Sequence, residues 1–170
     1  MATGFRQIGL GLAGAIAITA CNQTTLSTYD ATATVTYTWQ ATYRPRSGQD
    51  RPNDTRIEQF ESTSLVNHNG LEPPAAVTGP DEKGLWWPAL PPEPTVDDLE
   101  SRLQPNEQNS PPELIKSVDY AIAVDQAGTP TTLPTNYDVY RAATKAYPNQ
   151  RPLDITYGPR DESIINAEVR

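Results

Sequence analysis

The chain predicts an α+β domain: a small, mostly antiparallel or mixed sheet of three to five strands, two or three short helices and long proline-rich loops. Three observations carry that expectation. A two-residue alternation runs from Tyr29 to Tyr43, the pattern of a strand with one covered face. Two short, capped helical patterns begin near Thr95 and Thr135. The 17 prolines and 36% hydrophobic content in 170 residues imply a lean core wrapped by irregular chain. The length favours one domain, assigned to 29–170.

In TYDATATVTYTWQATYR, Ala31, Ala33, Val35, Tyr37, Trp39, Ala41 and Tyr43 share one face, and threonines fill the other. This predicts a strand from Ala31 to Tyr43, long enough to need a bend or bulge. The threonine ladder reads as a solvated sheet face, with a flat ligand-binding face as the alternative. Arg44–Arg56 reads as a loop rich in Pro, Gly, Asn and Asp. RIEQFESTSLVNHNG fits neither period well. Ile57, Phe60 and Ser64 suggest a helix, yet the turn dipeptide Asn69-Gly70 favours a short strand ending near an exposed His68.

Seven prolines between Pro73 and Pro94 rule out a continuous helix or central strand across this insertion, 73–94. Adjacent Trp86 and Trp87 lie within it. On extended backbone they point to opposite sides. One can enter the core while the other contacts a partner or ligand, or both can pin the segment to the domain. TVDDLESRLQP predicts a helix with Thr95 and Asp98 in a capping box and Val96, Leu99 and Leu103 on one face. Ser110, Pro111 and Glu113 predict a helical turn through Lys116, followed by a strand from Ser117 to Asp125. A helix is expected from about Asn136 to Tyr147, its tyrosine stripe facing the core. A strand follows with Leu153, Ile155 and Tyr157 inward, then a tail, 159–170, that either docks or stays mobile.

The N-terminus carries the localisation signal. Arg6 precedes an uncharged run, Ile8 to Ala20, too short for the roughly 20 residues of a spanning helix. A charged start, a short apolar stretch and small residues at its end describe a signal peptide, 1–20. The only cysteine follows at once. Ile18-Thr19-Ala20-Cys21 resembles the lipobox of bacterial lipoproteins. The resemblance covers only these first 21 residues. It implies cleavage before Cys21, a diacylglyceryl group on its sulfur and acylation, such as with palmitate, of the new amine. Two or more acyl chains give stable anchoring. A catalytic thiol would want a nearby base, but the only histidine is His68 in a polar stretch. A metal site would need several ligands. Residues 21–28 then read as lipid anchor and polar tether.

The net charge of −8, with no basic run, argues against nucleic acid as a partner. It also argues against electrostatic attachment to anionic lipid. No phosphate loop, dinucleotide fingerprint, zinc spacing or nucleophile elbow occurs, and no cofactor is implied. The expectation is a non-enzymatic lipoprotein at an extracytoplasmic membrane face, held by lipid on Cys21 and binding another envelope or membrane protein. Its rivals are a small-ligand or glycan binder using Trp86, Trp87 and tyrosines, and an envelope enzyme with carboxylate catalysis.

Overall fold

A computed structural model describes residues 23–46, 55–126 and 128–170. The expected signal peptide, 1–20, and the lipidation candidate Cys21 lie outside these residues. Eight strands form one mixed sheet, with half of the described residues in strand. This corrects the expected sheet of three to five strands with two or three helices. One helix of substance takes over the helical packing.

The strands are β1 (Gln23–Leu26), β2 (Asp30–Pro45), β3 (Arg56–His68), β4 (Glu107–Asn109), β5 (Glu113–Gln126), β6 (Thr129–Thr135), β7 (Leu153–Tyr157) and β8 (Ile164–Val169). Their order is β1-β7-β8-β6-β5-β2-β3, with β4 also paired to β2. Every pairing is antiparallel except β6 with β8, which meet in parallel at one residue pair, Thr135 and Ile164. The helices are α1 (Val96–Ser101) and α2 (Tyr137–Ala146).

β2 organises the sheet because it pairs on both sides for most of its length. Its alternation works as read: Ala31, Ala33, Val35, Tyr37, Ala41 and Tyr43 are buried, while Thr32, Thr34, Thr36 and Thr38 line the opposite, open face. The bulge falls on the neighbouring strand. Thr38 pairs with Ser62 and Gln40 with Gln59, so Phe60 and Glu61 of β3 together face Trp39. One extra residue inverts the strand's parity. Leu65 and Asn67 point inward above the bulge. Below it Phe60 turns inward, leaving Ile57 60% exposed. That inversion is why no single period fitted this stretch.

Two other segments depart from expectation, and the tail takes one of its two expected courses. Glu113–Lys116 form no helical turn, because they pair residue for residue with Gln40–Tyr37 of β2. A full ladder of backbone bonds outweighs a local helix-start signal. Gln23–Leu26, read as tether, pair with β7 and bury Leu26. The tail docks: β8 pairs with β7 and Ile164 is buried.

The main core lies between the sheet and two covers. One is α2, capped by Asn136, whose Oδ1 accepts from Val139 N at 3.0 Å. It buries Val139, Tyr140, Ala143 and Ala146 against β8, β2 and β5. The other is the proline-rich segment. A second, smaller core joins Ala41, Tyr43 and Leu99. It is closed by α1, whose capping box of Thr95 and Asp98 forms as read, although Val96 is exposed.

Tyr140 packs its ring 5.2 Å from that of Tyr120. Burial pushes its hydroxyl up to about 12, against an opposing contribution from the Gly70 backbone. The folded state therefore holds a proton that the unfolded chain releases near pH 10. This stability is full below pH 10 and drains as the pH rises towards 12. At about 1.4 kcal/mol per unit it amounts to about 3 kcal/mol. Urea unfolding at pH 9 and pH 11.5 should show about 2 kcal/mol of that loss in the wild type and a smaller loss in Tyr140→Phe, where the raised Tyr29, Tyr43 and Tyr120 hydroxyls still contribute.

Candidate functional site

Trp86 and Trp87 belong to an ordered cover rather than a loose linker. Thr78 and Trp87 form an antiparallel bridge, with Trp87 N donating to Thr78 O at 2.8 Å and Val77 N to Trp87 O at 2.9 Å. Asp81 clasps the turn between them. Its Oδ1 accepts from the backbone N–H groups of Lys83 and Leu85, and its Oδ2 from Trp87 Nε1, all at 2.9 Å. Partial burial pushes this carboxyl up. The donors and the Lys83 charge outweigh it and hold the group below the ordinary carboxylate value. Gly79 is required here: its φ is +140°, and a Cβ would stand 2.9 Å from Leu85 O and Trp86 Cα.

Asn67 fastens this cover to the sheet. It is fully buried. Its Oδ1 accepts from Trp86 N at 2.8 Å, and its Nδ2 donates to Trp86 O at 3.0 Å and Ala33 O at 3.3 Å. One side-chain amide thus satisfies both backbone groups of Trp86. Further along, Trp39 Nε1 donates to Pro91 O at 3.0 Å and Thr63 Oγ1 to Ala89 O at 2.6 Å. The neighbouring Asn69 ties the turn to β2: its Oδ1 accepts from Ala31 N at 2.8 Å and its Nδ2 donates to Asp30 Oδ1 at 2.6 Å. His68 is exposed, as read, with Nδ1 3.3 Å from Asp30 Oδ2.

The two tryptophans differ in exposure. Trp87 is 7% exposed and stacks on Tyr37 with ring centroids 4.9 Å apart. Trp86 is half-buried against the main core. Lys116 Nζ lies 5.4 Å from the Tyr37 ring and 5.3 Å from the Trp87 ring, within cation–π range. These three side chains, with Thr78, Pro80 and Asp81, line an open cleft of about 390 Å³. The sequence reading missed Asn67, Asp81, Lys116 and Tyr37 as parts of this arrangement. A signal existed for Asn67, a polar residue at the inward parity of Leu65.

Two further concavities are polar. A groove of about 320 Å³ is lined by Gln23, Thr25, Asp154, Asn166, Glu168 and Arg170. A smaller hollow of about 200 Å³ lies beside α1. There Arg102 sits 4.1 Å over the Phe60 ring; outside its lining, Arg56 Nε and Nη2 donate to Glu107 at 3.0 and 2.7 Å. That hydrogen bonding from Arg56 holds the Glu107 carboxyl below its ordinary value. Among the described residues no three His, Cys, Asp or Glu side chains are placed to hold a metal, and no helix is long and apolar enough to cross a membrane. Cys21, the lipidation candidate, lies outside the described residues. Comparison with protein-family models, curated proteins and solved structures finds no match.

Removing the clasp should be costly. Asn67→Ala leaves Trp86 N–H and C=O without partners in a partly buried setting, a loss of about 3 kcal/mol in urea unfolding. Trp87→Ala should cost on the order of 3–5 kcal/mol and Trp86→Ala distinctly less. Equal, small losses from both tryptophans would show that the segment does not belong to the core.

Proposed function

We propose that this chain is a non-enzymatic lipoprotein, anchored through Cys21 at an extracytoplasmic membrane face, that binds another envelope protein. The observation carrying the anchorage is the lipobox-like Ile18-Thr19-Ala20-Cys21 behind a short apolar run. Support for a protein partner comes from the proline-rich cover. Its backbone is held by Asp81 and Asn67, while Val77 and Leu90 on it are 64% and 61% exposed. Fixed backbone lowers the ordering cost of association, and exposed aliphatic groups on it supply contact area. The rival glycan reading is weakened because Tyr37 and Trp87 are 6% and 7% exposed, leaving little ring face for a sugar to stack on. Against carboxylate catalysis stands the structural use of Asp81, Asp98 and Glu107, each engaged by hydrogen-bond donors that favour the charged form.

Two measurements test the proposal. Intact mass of the protein from the membrane fraction should show a chain beginning at an acylated Cys21, and Cys21→Ala should accumulate as uncleaved precursor. A soluble, unacylated species would overturn the anchorage. The variant Val77→Asp/Leu90→Asp should fold, remain on the membrane and lose a protein that cross-links to wild type. Unchanged cross-linking would remove the cover as the binding surface.

A further inference from the structure

The first described strand lies close in sequence to the proposed lipid. β1 starts at Gln23, so Asn22 alone separates it from Cys21. β1 is well fixed. All four of its residues pair with β7, Leu26 enters the core, and Thr25 Oγ1 donates to Asp154 Oδ1 at 2.6 Å. Two residue steps span at most about 7 Å. The polar layer on each side of a bilayer is itself roughly 5–7 Å thick. A lipid on Cys21 therefore leaves the domain no room to stand away from the surface.

The position of Gln23 decides which part of the domain touches. It sits on an edge strand opposite Thr156. β7 ends one residue later, in the turn 158–163 that leads to β8. The same corner carries an irregularity. Thr156 pairs with Asn166 and Tyr157 with Ile164, so Ile165 is unmatched and 47% exposed. It lies against Gly158, where a Cβ would stand 3.1 Å from Ile165 Cγ2. Exposed Arg160 and Glu162 flank it. An exposed aliphatic group among polar neighbours suits a headgroup layer. The opposite edge, β3, lies six inter-strand steps away, roughly 29 Å at about 4.8 Å per step.

We propose that the sheet corner formed by Gln23, the 158–163 turn and Ile165 rests on the bilayer, so that β3 and the proline-rich cover are presented away from it. This rests on the proposed lipidation of Cys21. The orientation is imposed by the short link, since the acidic chain offers no electrostatic attraction to anionic lipid.

The chain's one cysteine makes the test clean. Once its sulfur is in a thioether, any introduced cysteine is the only free thiol. Glu162→Cys and Ser62→Cys, both exposed positions, would be produced as the full-length, processed protein and labelled with a fluorophore. They would then be reconstituted in phosphatidylcholine vesicles containing a nitroxide-headgroup lipid. The expected result is strong quenching at 162 and none at 62. A spacer of about ten Gly and Ser residues after Asn22, with a reach of roughly 17 Å, should abolish the difference. Equal quenching at both sites, with acylation verified by mass, would overturn the orientation and leave the anchorage intact. A difference that survives the spacer would overturn the short link as its cause. An unacylated Cys21 with no vesicle flotation would overturn the anchorage and the orientation together.

Discussion

One buried amide holds the architecture together. The sheet has a single apolar face, and α2 is too short to cover it. The remaining cover must come from a segment whose prolines bar it from a ladder. Asn67 resolves that conflict by offering Trp86 the donor and acceptor that a neighbouring strand would have supplied. Fixing Trp86 places Trp87 over Tyr37, and Asp81 locks the arrangement from the other side. A hydrocarbon residue at 67 would pack, but it would leave the two partly buried backbone groups of Trp86 without partners. The polar choice is what allows irregular chain to serve as a layer of the core.

The same logic explains the distribution of charge. Carboxylates are abundant, yet the ones with displaced ionisation hold turns and caps: Asp81 in the cover, Asp98 at α1, Glu107 on Arg56. Each meets backbone or side-chain donors that a proline-rich chain would otherwise leave unpaired. In a fold with a lean core, such clasps set local geometry more than they add global stability.

How much of this was legible depended on whether local pattern and tertiary pairing agreed. β2 was readable because its alternation is strict and both neighbours respect it. α2 was readable from its Asn136 cap, though of its expected tyrosine stripe only Tyr140 is fully buried and Val139 and Ala146 join it, and α1 was readable from its capping box. β3 was only half readable, because the Phe60–Glu61 bulge changes the inward parity midway. Glu113–Lys116 misled because Ser110 and the prolines mimic a helix start, while the decisive partner, β2, lies more than seventy residues away. β6 carries Pro130 and Pro134, which argue against a strand. Both stand in register with β5, opposite Asp125 and Ala121, and are tolerated because β8 meets the other side of β6 only at Thr135, which leaves β6 edge-like there. At the tryptophan segment the residue types were visible. What they bind depended on Asn67 and Asp81, whose roles exist only once β3 and the cover meet.

That single contact between β6 and β8 has a mechanical meaning. The backbone ladder is continuous from β6 to β3 and from β8 to β1, but one residue pair joins the two parts. What spans the seam is α2, which packs on β8 on one side and on β2 and β5 on the other. A pull between the N-terminal strand and the proline-rich cover would thus travel through helix packing rather than through a zipper of hydrogen bonds. Apolar packing is non-directional and yields in small steps, whereas a ladder is lost pair by pair from its end. Under the proposed anchorage, tension between membrane and partner would pass along the β1–β7 and β7–β8 ladders and then cross the seam through α2.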